Sequence, residues 1–135
     1  MKKFFADESG QAVVEFALVA PILLLILCGI IDFGWAFSAQ IATENCAREG
    51  ARYASMYTKN ANVADETESK VQSVAPDIIK NNISVTLTFS NAASPVDGDV
   101  TVTVVSEVRS LTFVAYTIFG GETFNLESSV TMKAG

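Results

Sequence analysis

The sequence predicts an α+β protein: a long N-terminal helix, membrane-spanning in its first half, packed on a small antiparallel sheet. Three observations carry this expectation. Ala12 to Ile31 is apolar apart from Glu15. Ser38 to Thr58 contains no proline and no turn cluster. Past residue 80, Ile83–Phe89 and Val100–Val104 alternate apolar and polar residues, the period of a half-buried strand. A chain of 135 residues has room for one modest domain and an anchor, not for two cores.

The apolar excess is local. Half of the residues are hydrophobic, and they concentrate between Ala12 and Phe37. Twenty residues from Ala12 to Ile31 make a helix of about 30 Å, the thickness of a bilayer core. Glu15 is unusual inside such a run, because a carboxylate in hydrocarbon is costly and generally has a partner. An interfacial glutamate at a helix start, where acids suit the helix dipole, is the other reading of the residue. Pro21 removes the N–H that would bond the Ala17 carbonyl, so a kink or local melting is expected there. A secretory signal peptide fits poorly, since the run is long and holds Glu15. Phe33, Trp35 and Phe37 place aromatic rings at the far interface. Lys2 and Lys3 precede the span and the next basic residue is Arg48, which orients the N-terminus to the cytoplasm and the remainder outside.

Beyond the span the helix continues with small residues in stripes, Ala42, Cys46 and Gly50 on one and Ala47, Ala51 and Ala54 on another. Such stripes let a second backbone approach closely. Gly50 carries a helix penalty, which points to close packing at that position. Glu44 with Arg48, and Glu49 with Arg52, have the spacing of intrahelical ion pairs. These charges either face other subunits or are merely solvated. Cys28 and Cys46, eighteen residues apart on one helix, stand ~27 Å from each other and cannot form an intramolecular disulfide.

Thr58–Asn62 is a polar break. Val63 to Lys80 reads as a helix with acids at its start and Val71, Val74, Ile78 and Ile79 as its apolar side, split by Pro76. The Ile83–Phe89 strand is followed by a turn-rich loop, Asn91–Asp99, and by a strand from Val100 extending towards Arg109. Leu111–Phe119 is a short helix or an irregular segment. Its Phe113, Tyr116 and Phe119 are expected to pack in the core, an exposed patch for subunit contact being the alternative. Phe124–Met132 forms the third strand. The helix around Ala42–Ala54 is expected to cover one face of the antiparallel sheet.

Several function classes lose their support. Histidine is absent, which removes the commonest general base and metal ligand. Net charge is −6, and no basic stripe with interleaved aromatics exists for nucleic acid. Asp97-Gly98-Asp99 lacks the spaced ligands and closing glutamate of a calcium loop. Gly120-Gly121 reads as a turn, not a phosphate cradle. An enzyme, a cofactor, a metal and a small-molecule substrate are therefore not expected.

A resemblance sharpens the expectation. Gly10-Gln11-Ala12-Val13-Val14-Glu15-Phe16 resembles the processing site of type IV prepilins, in which a glycine precedes an apolar segment with glutamate at the fifth mature position. Together with Pro21, Asp32-Phe33-Gly34 and Cys46-Ala47-Arg48-Glu49-Gly50-Ala51-Arg52, the stretch over residues 8–56 is similar to the TadE/TadG-like family, minor pilins (pseudopilins) of tight-adherence (Flp) pilus systems. The resemblance implies a leader over 1–10, cut by a prepilin peptidase between Gly10 and Gln11. It implies a helix over 11–58 spanning the inner membrane at about 12–34, and a pilin-like extracytoplasmic domain over 59–135. The freed amine of one subunit would pair with Glu15 of a neighbour. The implied partners are membrane lipid, the peptidase, other pilin subunits and the Tad assembly machinery. The implied role is pilus assembly and surface adhesion, the protein residing in the plasma membrane and then in the fibre. The alternative is an unprocessed single-span protein that displays its outer domain as a binding or scaffold module.

Overall fold

A computed structural model describes residues 8–135. Most of the leader expected over 1–10, with Lys2 and Lys3, lies outside the described residues. The chain forms α1 (Glu8–Met56), α2 (Val63–Val74), α3 (Asp77–Lys80), β1 (Ile83–Phe89), a 3-10 turn (Pro95–Asp97), β2 (Asp99–Arg109), α4 (Phe113–Phe119) and β3 (Thr123–Lys133). This is the expected α+β architecture, with a long apolar N-terminal helix packed on a three-stranded antiparallel sheet.

The strands form a meander in the order β1-β2-β3. Leu87 pairs with Val102, and Val102 with Val130. The period-two pattern decides which face is covered. Val100, Val102, Val104, Ser106 and Val108 of the central strand are buried under α1. Ile83, Val85, Leu87 and Phe89 of β1 are half-buried beside them, as are Phe124, Leu126, Val130 and Met132 of β3. The opposite face is rich in hydroxyls, with the Thr101 and Thr131 hydroxyls 2.8 Å apart and those of Thr103 and Ser129 3.0 Å apart.

The second half of α1 supplies the other half of the core. Ala39, Thr43, Cys46, Ala47, Gly50, Ala51 and Ala54 are buried on one stripe with the i, i+3/i+4 spacing of a helix face. Small residues bring the helix backbone close to the sheet. A Cβ added at Gly50 would sit 2.8 Å from Val71 Cγ2 and 3.1 Å from Val102 Cγ1, so α2 and β2 both press on that point. Burial also pushes the Cys46 thiol pKa up, which suits a packing residue better than a reactive one.

Three side-chain expectations are corrected. Phe113 and Tyr116 do not join the core: they are 75% and 52% exposed, and Val114 and Ala115 are buried instead. The α4 backbone turns Val114 and Ala115 inward, and Phe113 and Tyr116 fall on the opposite side; the side chain of Phe119, expected in the core with them, lies outside those described. Glu49 does not pair with Arg52 but lies 3.8 Å from Lys70 on α2, because α2 packs alongside α1 at that level. Val74 is largely exposed, and Val63 and Thr67 take part in the buried side of α2 with Val71.

Candidate processing and assembly site

The residues expected to carry function lie along α1. Gly10, Gln11 and Glu15 are exposed on its first turns. Gln11 Nε2 donates to Glu15 Oε1 at 3.2 Å, as their i, i+4 spacing allows. Among the described residues Glu15 has no ion pair. The peptide between Gly10 and Gln11 is part of the helix. The helix also continues without interruption through Pro21.

From Val13 to Ile31 the large apolar side chains stand clear of the rest of the chain, including Phe16, Leu18, Ile22 and Ile30 at 60–71% exposure, whereas Trp35, expected at the interface, packs against the domain core. This is the only helix among the described residues long and apolar enough to cross a membrane, and its most apolar stretch is not buried by the domain. An apolar face left bare over so many turns needs lipid or another protein, since water disfavours it. The helix fits a single-pass membrane protein.

Further along, Ala47, Gly50 and Ala51 face the sheet and α2, so they build the domain itself. The charged side of the same turns is outside. Arg48 pairs with Glu44, the expected i, i+4 pair, and both are exposed. An open groove of about 710 Å³ runs along this side, lined among others by Ile41, Arg48, Arg52, Val74 and Met132. The Tyr53 hydroxyl donates to Glu66 Oε2 at 2.9 Å, and that bond to a carboxylate holds the phenol pKa above its ordinary range.

One contact has no counterpart in the sequence patterns. Asp32, at the end of the apolar run, accepts from the backbone N–H groups of Leu111 and Thr112 at 3.0 and 2.9 Å and from the Thr112 hydroxyl. Two residues eighty positions apart thereby tie α4 to the outer end of the expected span. Val114 and Ala115 face Gly29, Phe33 and Ala36 across an apolar cleft of about 540 Å³. A tether across eighty residues leaves no spacing signal. The hint available in the sequence is an acid ending an apolar run, which already has an explanation as a helix boundary.

Residues 10–52 match the family of TadE-like proteins. The matched segment runs from Gly10 to Arg52, so it takes in Glu15, Pro21, the exposed apolar turns, Asp32 and the stripe through Ala47, Gly50 and Ala51. It stops before α2, and the sheet lies outside it. No curated protein and no solved structure matches the chain. The TadE-like family is a structural one associated with Tad pili, and the match points this chain to the same association and to the membrane. Among the described residues no cluster of metal-ligating side chains occurs beside the TadE-like segment or elsewhere.

Proposed function

We propose that the chain is a minor pilin, or pseudopilin, of a Tad/Flp-type pilus. In this reading a prepilin peptidase cuts between Gly10 and Gln11. The exposed apolar helix then holds the subunit first in the inner membrane, with its domain outside, and later in the fibre, where it supports assembly and surface adhesion. The observation that carries the reading is the TadE-like match starting at Gly10 on a helix whose apolar side chains the domain leaves uncovered.

Glu15 has a defined task in this scheme. A lone carboxylate in an apolar environment costs several kcal/mol or more, and a cationic partner offsets much of that cost. Cleavage creates such a cation, the α-amine of Gln11. The side chain of Gln11 bonds one oxygen of Glu15, which leaves the second for the incoming amine of a neighbouring subunit. The pair would set axial register more than it adds stability, as buried polar pairs do in other helical assemblies.

The test is the mass of the cellular protein and of the protein in sheared fibres. The mature chain is expected to begin at Gln11 in cells with an active prepilin peptidase, and Glu15→Val is expected to be cut normally but excluded from fibres. A chain that keeps residues 1–10 while fibres form as usual defeats the proposal in favour of an unprocessed single-span protein. Normal incorporation of Glu15→Val defeats the pairing role alone.

A further inference from the structure

We infer that the segment Ser110–Gly121, with α4 at its centre, is a membrane-interface foot that rests on the outer surface of the bilayer its own helix crosses. The inference rests on the single-span reading above and adds a second lipid-contacting surface to it.

The first observation is position. Asp32 ends the apolar run that begins at Ala12, so a bilayer core of about 30 Å filled by that run ends at the level of Asp32. Asp32 holds the backbone of Leu111 and Thr112 within 3.0 Å. Val114 and Ala115 line one cleft with Gly29 and Ala36, about one turn to either side of that level. The start of α4 is therefore fixed at the boundary between hydrocarbon and headgroups, and it remains there as long as the domain is folded.

The second observation is chemistry. Ser110 to Gly121 contains no charged side chain. It protrudes from the end of the β2–β3 hairpin, whose last pair is Arg109 with Thr123. An ion pair between Arg109 and Glu122, at 3.4 Å, and the bond from Ser110 N–H to the Glu122 carbonyl, at 2.9 Å, close its base. Leu111, Phe113 and Tyr116 point away from the domain at 54%, 75% and 52% exposure. Aromatic side chains with an apolar body and a polar tip favour the headgroup level. Short apolar faces of this kind lie in the interfacial plane and sink only part of the way into the acyl region.

The third observation is continuity. Phe33 and Phe37 are exposed on α1 at the same level, their rings stacked 6.3 Å apart. The apolar patch of α4 thus continues the lipid-facing surface of the span and does not stand alone on the domain. Two anchoring points, the span and the foot, fix the tilt of the domain over the membrane, which a single helix would leave free.

Bromolipid quenching tests the inference on the full chain in vesicles of phosphatidylethanolamine and phosphatidylglycerol. The background is Trp35→Phe, so that each variant carries one indole. Phe113→Trp reports on the foot, with Tyr116→Trp as an independent second reporter. Leu24→Trp reports on the span. Tyr57→Trp reports on the far end of the domain, ~37 Å along the helix direction from Asp32. With lipids brominated near the headgroup end of the acyl chain, the indole at 113 and that at 116 are expected to lose most of their emission, while the one at 57 keeps it. Emission at 113 and 116 that survives bromine, with the indole at 24 quenched, overturns the foot and leaves the span standing. Protection at 113 that grows with the protein-to-lipid ratio assigns the patch to a second copy and likewise overturns it. An indole at 24 left unquenched by lipids brominated near the far end of the acyl chain removes the span and the foot together.

Discussion

Thr43 and Ser106 show how single residues hold helix and sheet at a set distance. Their hydroxyl oxygens are 2.6 Å apart and fully buried, and the Thr43 hydroxyl donates to the Ala39 carbonyl at 2.9 Å. With that proton committed, Ser106 is the donor in the contact between them. Loss of the acceptor therefore leaves a buried O–H without a partner, whereas loss of Ser106 leaves Thr43 still satisfied. Thr43→Val is expected to destabilise the protein by about 1–3 kcal/mol and Ser106→Ala by less. The double variant is expected to recover part of the Thr43→Val loss, since no polar group is then stranded. Chemical denaturation of the detergent-solubilised chain measures all three. Equal losses for the two single variants would contradict the assigned proton positions.

At the scale of elements, α4 is the one whose placement depends most on a distant residue. It has seven residues and ends on Gly120, whose φ of 72° lies in the left-handed region that glycine adopts without strain. So short a helix is marginal alone and takes its order from its contacts. Asp32→Ala removes the acceptor for Leu111 and Thr112, while Asp32→Asn keeps one oxygen for the two N–H groups. Amide exchange at Leu111 and Thr112 is expected to speed up on the order of tenfold in Asp32→Ala, the factor that about one lost hydrogen bond supplies, and far less in Asp32→Asn. The β1 and β2 amides are expected to be unaffected, because the core under α1 is separate from the clamp.

At the scale of the molecule, the helix is part of the domain. The buried face of β2 is covered by Ala39–Ala54 of α1, and without that stripe Val100, Val102, Val104 and Val108 would meet water. Residue 58 therefore follows the end of α1, while the core shared by helix and sheet begins at Ala39. A fragment over 38–135 retains the whole stripe and is expected to give a dispersed amide spectrum without detergent. A fragment over 59–135 is expected to aggregate or remain unfolded. A folded, monomeric 59–135 fragment would show that the sheet does not need α1.

Much of this architecture was legible in residue order because its signals are local. A run of side chains insoluble in water, an uninterrupted helical stretch and a period of two each act over neighbouring residues, and Pro76 splits α2 from α3 as its missing N–H requires. The Gly10–Gln11–Glu15 arrangement is equally local, which is why a family match can reach it. Contacts between distant residues left no such trace. Whether Glu49 turns to Arg52 or to Lys70 depends on where α2 lies. Whether Phe113 and Tyr116 face the core or the outside depends on how α4 is seated on Asp32. Periodicity names an apolar face, but the partner for that face is set by packing across the whole chain, where the burial of Val114 and Ala115 left the larger rings outside.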